Sequence, residues 1–174
     1  MGIAFVVAAH GAAGTHDLEL NRLEAASPVY GYQVMLVNTL HAAPEGIAIG
    51  AAMAVDVPFG VFLALAIGAH NVPEGAVLAA ILTSRGLDWG RAAGVAVAAN
   101  LSQILLAVTT FAVVVESPAL LPWALGTAAG ALVYLVLSDL LPESYRQAGR
   151  TSIALVTVLA MAVLVLLGRE LPRP

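Results

Sequence analysis

Five long apolar stretches, separated by short polar turns, run through most of this 174-residue chain. They cover residues 29–55, 58–84, 89–115, 119–141 and 152–168. Each is close to the ~20 apolar residues that a helix needs to cross a bilayer, and the longer ones can tilt. Turns this short make successive helices antiparallel neighbours. The sequence therefore predicts an all-α fold, a polytopic membrane helix bundle of about five transmembrane helices.

The composition excludes several other classes of protein. The chain is 60% hydrophobic and 10% charged, whereas a soluble domain is typically ~25% charged. The expected surroundings are therefore the lipid bilayer. A net charge of −4, with no lysine, argues against a nucleic-acid partner. Without cysteine the chain has neither disulfides nor thiolate metal sites.

The charged residues predict how the chain is organised and oriented. Residues 1–28 are expected to form an apolar stub and a polar cytoplasmic loop, and residues 29–174 the helix bundle. Connections are predicted at 56–58, 85–88, 116–118 and 142–150. Arginines are unevenly divided between the two sides of this arrangement, with Arg22, Arg85, Arg91, Arg146 and Arg150 on one and Arg169 and Arg173 on the other. The arginine-rich side should be cytoplasmic, so the C-terminus should be extracytoplasmic, in the cell (inner) membrane.

One short pattern occurs twice inside the apolar stretches. Residues 41–46 read HAAPEG and residues 70–75 read HNVPEG. His and Glu four positions apart lie on the same face of a helix. The proline between them removes a backbone hydrogen bond and bends the helix, which frees carbonyl oxygens beside the two side chains. The pattern predicts two kinked helices, each carrying one His/Glu pair.

The paired residues indicate a metal site. Ionisable side chains at membrane depth are costly and usually mark a functional path. Imidazole nitrogen and carboxylate oxygen together suit zinc, and also iron, manganese, cobalt or nickel. A single intramembrane His or Glu can equally be a packed residue whose polar atoms are satisfied. The repetition in adjacent stretches favours metal binding over packing.

At these residues the sequence resembles the ZIP (Zrt/Irt-like protein) family of divalent metal transporters, whose fourth and fifth membrane helices carry such motifs. The resemblance extends from about Val29 to the end of the chain, as the last five helices of the family. It implies a primary metal site made of His41, Glu45, His70 and Glu74. It also implies uptake of Zn²⁺, or of Fe²⁺, Mn²⁺, Co²⁺, Ni²⁺ or Cd²⁺, toward the cytoplasm.

The resemblance also implies positions for a second metal, and there the sequence departs from the family. Ala42 cannot coordinate an ion where the family has Asn, and Gln103 is neutral where many members have Glu. Asn71 offers only an amide oxygen. One ion per chain is therefore expected, with Asn71 and Gln103 as secondary ligands or pathway residues. Asn38 and Asn100 are pathway candidates. The alternative for Asn38 is a packed amide, and for Asn100 and Gln103 it is hydrogen bonding between helices.

The length of the chain leaves the function open between several alternatives. The family has eight helices, and this chain has room for five and a stub. It is a truncated transporter, a minimal member that works as a homo-oligomer, or a metal-binding membrane subunit that does not transport. The apolar start of the chain favours truncation. An enzyme is not expected, because the motif differs from the His-Glu-x-x-His of metalloproteases and no separate base or nucleophile is evident.

Overall fold

The computed structural model of the chain describes residues 2–4, 7–8 and 28–169. The described residues are almost entirely helical and contain no strand, which confirms the predicted all-α membrane bundle. Most of the predicted stub and polar loop, residues 1–28, lies outside the described residues. The helices are α1 Pro28–Val55, α2 Val57–Ser84, α3 Trp89–Ala99, α4 Leu101–Glu116, α5 Leu121–Leu135, α6 Leu141–Ala148 and α7 Arg150–Arg169.

Three helical segments of the described chain are long and apolar enough to cross a membrane. They are Val57–Ser84, Trp89–Glu116 and Pro118–Ser138, and Thr151–Leu167 is a shorter apolar helix. Helices α1 and α2 are each 28 residues long. At a rise of about 1.5 Å per residue, helices of that length exceed the ~30 Å hydrocarbon core.

The predicted turns follow from local chemistry. Asp56 alone separates α1 from α2, and its carboxylate caps α2 by accepting a hydrogen bond from the Phe59 amide at 2.9 Å. Between α2 and α3, Gly86 adopts a φ of +90°, which a residue with a Cβ rarely tolerates. Asp88 then caps α3 through the Gly90 amide at 3.1 Å. These connections are the ones expected from the sequence.

The predicted span 89–115 is observed as Trp89–Glu116, with a turn at Asn100 between α3 and α4. One predicted element differs from the structure. The connection predicted at 142–150 is largely helical, because α6 runs from Leu141 to Ala148. A π-helical segment, Val136–Leu140, leads from α5 directly into α6, so Pro142 follows it within a continuous helical path. A π-helical segment interrupts the regular hydrogen-bond ladder, as a proline inside a helix also requires.

Helix α1 is the centre of the described bundle. It contacts α2, α3, α4 and α5. Small residues allow this close packing: a Cβ placed on Gly46 would overlap the Gln103 carbonyl oxygen, and one on Gly50 the Ala107 carbonyl oxygen. The two backbones of α1 and α4 are therefore in direct contact.

Helices α2 and α3 pair with each other through a separate apolar cluster. Its buried members are Leu78, Ala79 and Leu82 of α2 and Ala92, Ala96 and Ala99 of α3. This cluster lies in the second half of α2, beyond the motif at residues 70–75. Elsewhere α2 packs mainly against α1, and many of its described residues are exposed.

Candidate metal site

The first copy of the repeated motif lies in the interior of the bundle. Pro44 is fully buried, Ala42 is 3% exposed and Ala43 is 7% exposed. His41 and Glu45 are half-buried on the same helix, one turn apart. The proline removes the N–H that would bond to the Leu40 carbonyl. The missing hydrogen bond therefore lies in the turn that carries the two candidate ligands.

The second copy lies at the edge of the bundle. His70 and Pro73 are exposed, and Glu74 is half-buried. Val72, between them, is 72% exposed. A Cβ on Gly75 would meet no atom within 4 Å, in contrast to Gly46. The local sequence is nearly the same in the two copies, but the surroundings differ.

Glu45 is the residue that links the two copies. Its carboxylate lies within electrostatic range of Glu74, His70 and His41. The side-chain amide of Asn71 is also within reach of it as a hydrogen-bond donor. The surroundings of Glu45 on α1 therefore include the His/Glu pair of α2.

No three His, Asp or Glu side chains within the described residues are grouped closely enough to hold one metal ion. The convergence of His41, Glu45, His70 and Glu74 on a single ion stays a prediction. Their donor atoms, two imidazoles and two carboxylates, are the kinds that bind zinc at ~2.0–2.2 Å. No cysteine is present to compete as a ligand.

The amides predicted as secondary ligands contact each other. Asn71 Nδ2 donates a hydrogen bond to Gln103 Oε1 at 2.7 Å, which joins α2 to α4. Gln103 is 7% exposed, and Asn71 is half-buried. The hydrogen bond between helices that was the alternative for Gln103 is observed, but its partner Asn71 was not predicted. The available signal was that both are amides on apolar helices, where a polar group needs a partner.

The other two pathway candidates occupy different positions. Asn38 is half-buried on α1, three residues before His41. Asn100 stands at the break between α3 and α4, and its side chain donates to the Ala96 carbonyl of its own helix at 3.3 Å. The packing expected of Asn100 is therefore within one helix and not between helices. Ser102 was not predicted from the sequence; its hydroxyl donates a hydrogen bond to the Thr39 carbonyl of α1 at 3.3 Å.

A cavity of about 380 Å³ lies beside Gln103, between α1, α2 and α4. Its other lining residues are apolar or glycine and include Ile49, Ala64 and Phe111. None of the four candidate ligands lines it. The cavity is therefore separate from the candidate metal site, and Gln103 lies between the two.

Comparison with known proteins gives consistent matches to one family. A family model described as the ZIP zinc transporter matches residues 8–168. The zinc transporter GufA of Myxococcus xanthus is 37% identical over 64% of this chain and 44% of its own length. Zinc transporter ZIPB of Bordetella bronchiseptica is 34% identical over 79% of the chain and 45% of its own length. Zinc transporter ZIP13 of Pongo abelii is 31% identical over 69% of the chain and 37% of its own length. The chain thus spans less than half the length of each of these relatives.

Proposed function

Because the chain belongs to the ZIP zinc transporter family, we propose that it carries a zinc-like divalent cation across the membrane toward the cytoplasm. In this proposal His41, Glu45, His70 and Glu74 hold the ion within the membrane. Glu45 is the observation on which it mainly rests, since its carboxylate on α1 lies in range of both side chains of the second pair. Members of the family are transporters and not enzymes.

The charges of the proposed ligands suit a divalent cation. Two carboxylates that approach each other in a low-dielectric interior repel strongly. An ion of charge 2+ between Glu45 and Glu74 neutralises that repulsion, and two imidazole nitrogens complete a four-ligand set. A monovalent ion would leave one negative charge uncompensated at membrane depth.

The same donor set can bind more than one metal. Zinc is named in the relatives' descriptions, and Fe²⁺, Mn²⁺, Co²⁺, Ni²⁺ and Cd²⁺ share the preference for nitrogen and oxygen ligands to different degrees. Asn38 and Asn100 are included in this proposal as residues of the path by which the ion enters and leaves. The chain is proposed to lie in the cell (inner) membrane with its C-terminus extracytoplasmic.

A second candidate function is metal binding without transport, by a membrane subunit that needs further helices or a homo-oligomer. The observation that favours it is the edge position of α2, where exposed His70 lies beside apolar residues that face outward. An imidazole does not normally face lipid at membrane depth. A further protein surface would cover it.

Zinc binding and zinc uptake, measured on the same protein, separate the two functions. The purified chain in detergent should bind zinc in calorimetry, and Glu45→Gln should abolish binding while circular dichroism stays helical. Glu116→Gln, an exposed glutamate at the end of α4, is the matched control and should bind like the wild type. Radiolabelled zinc should then accumulate in vesicles that contain the wild-type chain and not in those with Glu45→Gln. Binding without accumulation would favour the non-transporting subunit, and no binding by the wild type would refute both.

A further inference from the structure

Three polar side chains from three helices form a continuous chain of contacts. Gln103 of α4 accepts a hydrogen bond from Asn71 of α2 at 2.7 Å, and the Asn71 amide is also within reach of the carboxylate of Glu45 of α1, to which it can donate. Among the described residues Gln103 is the buried polar side chain, at 7% exposure. A buried amide without a partner is costly. Its burial therefore depends on Asn71.

The orientation of the Asn71 amide is set by its two neighbours. The NH₂ group has two N–H donors, whereas Gln103 Oε1 and an ionised carboxylate can only accept. The Asn71 carbonyl oxygen is left buried with no hydrogen-bond partner. Turning the amide over would place that oxygen against two other acceptors. The unpaired oxygen is thus a consequence of directing both N–H groups at Gln103 and Glu45.

Contacts between α1 and the backbone of α4 determine the position of Gln103 along the helices, and therefore where it meets Asn71. Gly46, the residue after Glu45, lies against the Gln103 carbonyl with no room for a Cβ. One residue earlier on α4, the Ser102 hydroxyl bonds to the Thr39 carbonyl of α1 at 3.3 Å. Two contacts between α1 and α4 therefore flank the level of the candidate ligands. Gln103 is held at the level of Glu45 by backbone packing and not by its side chain alone.

We propose that Asn71 and Gln103 are positioning residues, in which Gln103 orients the Asn71 amide and Asn71 holds the Glu45 carboxylate in its metal-binding orientation. This inference rests on the proposed function of Glu45 as a ligand. The Gln103 amide oxygen is the atom with which that side chain would coordinate an ion, and it is engaged by Asn71. The site therefore takes one divalent ion, with the amide pair outside the ligand set. Partners that orient ligands in this way typically change metal affinity by about 10–100-fold.

Substitutions of near-constant size test the amide pair. Gln103→Met keeps the length of the side chain but removes the acceptor, whereas Gln103→Glu keeps an acceptor for the Asn71 N–H. Calorimetry on the full purified chain should show zinc binding weakened about 10-fold or more by Gln103→Met, and not weakened by Gln103→Glu. Asn71→Leu should weaken binding by a similar factor. The double variant should be no worse than Asn71→Leu alone, since both changes break the same chain of contacts. Thr109→Val, which removes an exposed hydroxyl bonded within its own helix, is the control and should bind like the wild type.

The outcomes distinguish this inference from the function on which it rests. If the wild type binds one zinc, Glu45→Gln abolishes binding and a folded Gln103→Met binds like the wild type, the positioning role is refuted and the metal site stands. Two zinc ions per wild-type chain, or additive losses in the double variant, would show that the amides act as ligands and would overturn the inference. Loss of thermal stability without loss of affinity would show a packing role only and would also overturn it. Asn71 is half-buried, so Asn71→Leu supplies the decisive affinity if Gln103→Met does not fold. Failure of the wild type to bind zinc would refute the proposed function itself.

Discussion

The two copies of the repeated motif have nearly the same sequence but opposite surroundings. Residues 41–46 lie on a helix that contacts four others, and the Pro44 side chain is completely buried. Residues 70–75 lie on a helix at the edge of the described bundle, and Val72 is 72% exposed. The glycine that ends the first copy touches the backbone of α4, while the glycine that ends the second meets nothing within 4 Å.

This difference distinguishes two roles that the motif can have, metal binding and helix packing. In the first copy, the residues between His and Glu are buried in the bundle, so they contribute to packing as well as to the site. In the second copy, the intervening Asn71 reaches a partner on α4 and Val72 points outward. The His and Glu are common to both, which is the pattern expected if metal binding is shared and packing is not.

The largest expected effect is a loss of zinc affinity that should be the same in the two copies. Glu45→Gln and Glu74→Gln each remove a charge while keeping shape, and each should weaken zinc binding by at least about 100-fold, because a lost ligand should exceed the 10–100-fold typical of partners behind ligands. Calorimetry measures the affinity, and circular dichroism verifies that the helices remain. Wild-type affinity in a folded Glu74→Gln protein would break the equivalence and remove the second copy from the site.

A smaller effect, on stability, should differ between the two copies. Gly46→Ala forces α1 and α4 apart and should cost about 1–3 kcal/mol, the usual penalty for overpacking. Gly75→Ala has open space around it and should be neutral or stabilising by up to about 1 kcal/mol, since alanine favours the helix. Thermal unfolding of the two purified variants in the same detergent gives the comparison. Equal melting temperatures would mean that the contact between Gly46 and Gln103 does not hold the bundle together.

The smallest expected effect is a difference in local surroundings without a change in stability. The chain has no cysteine, so single cysteines can carry a spin label at chosen positions. A label at Val72→Cys should be mobile and accessible to oxygen dissolved in the bilayer, and one at Ile49→Cys, which is 8% exposed in the wild type, should be immobile and shielded. Electron paramagnetic resonance in liposomes measures both properties. A shielded label at position 72 would show that another protein surface covers the second copy.

Local sequence predicted much of the fold because its signals act over a few residues. Asp56 and Asp88 cap helices, and Gly86 supplies the positive φ between α2 and α3, as the turn patterns indicated. The turn at Asn100 was not predicted, since residues 95–105 contain neither proline nor glycine. Pro142 was taken as the start of a connection, whereas the π-helical segment Val136–Leu140 before it continues the helical path into α6.

The candidate site was predictable only in part, because burial depends on distant residues. The four His and Glu positions could be chosen from their spacing, and their convergence on one ion stays a prediction. The unequal exposure of the two copies could not be read from motifs that share their pattern. Likewise, the hydrogen bond between Asn71 and Gln103 depends on how α4 crosses α1 and α2, which spacing along the chain does not determine.

The turn residue Asn100 has a mechanical consequence for the bundle. On one side of it, α3 is attached to α2 by the cluster that includes Leu82 and Ala96. On the other side, α4 is attached to α1 through its backbone contacts at Gly46 and Gly50. The two pairs are connected along the chain at Asp56 and at Asn100, and across the bundle by the hydrogen bond between Asn71 and Gln103. Separating Glu45 from Glu74 by moving one pair relative to the other would therefore require that hydrogen bond to break.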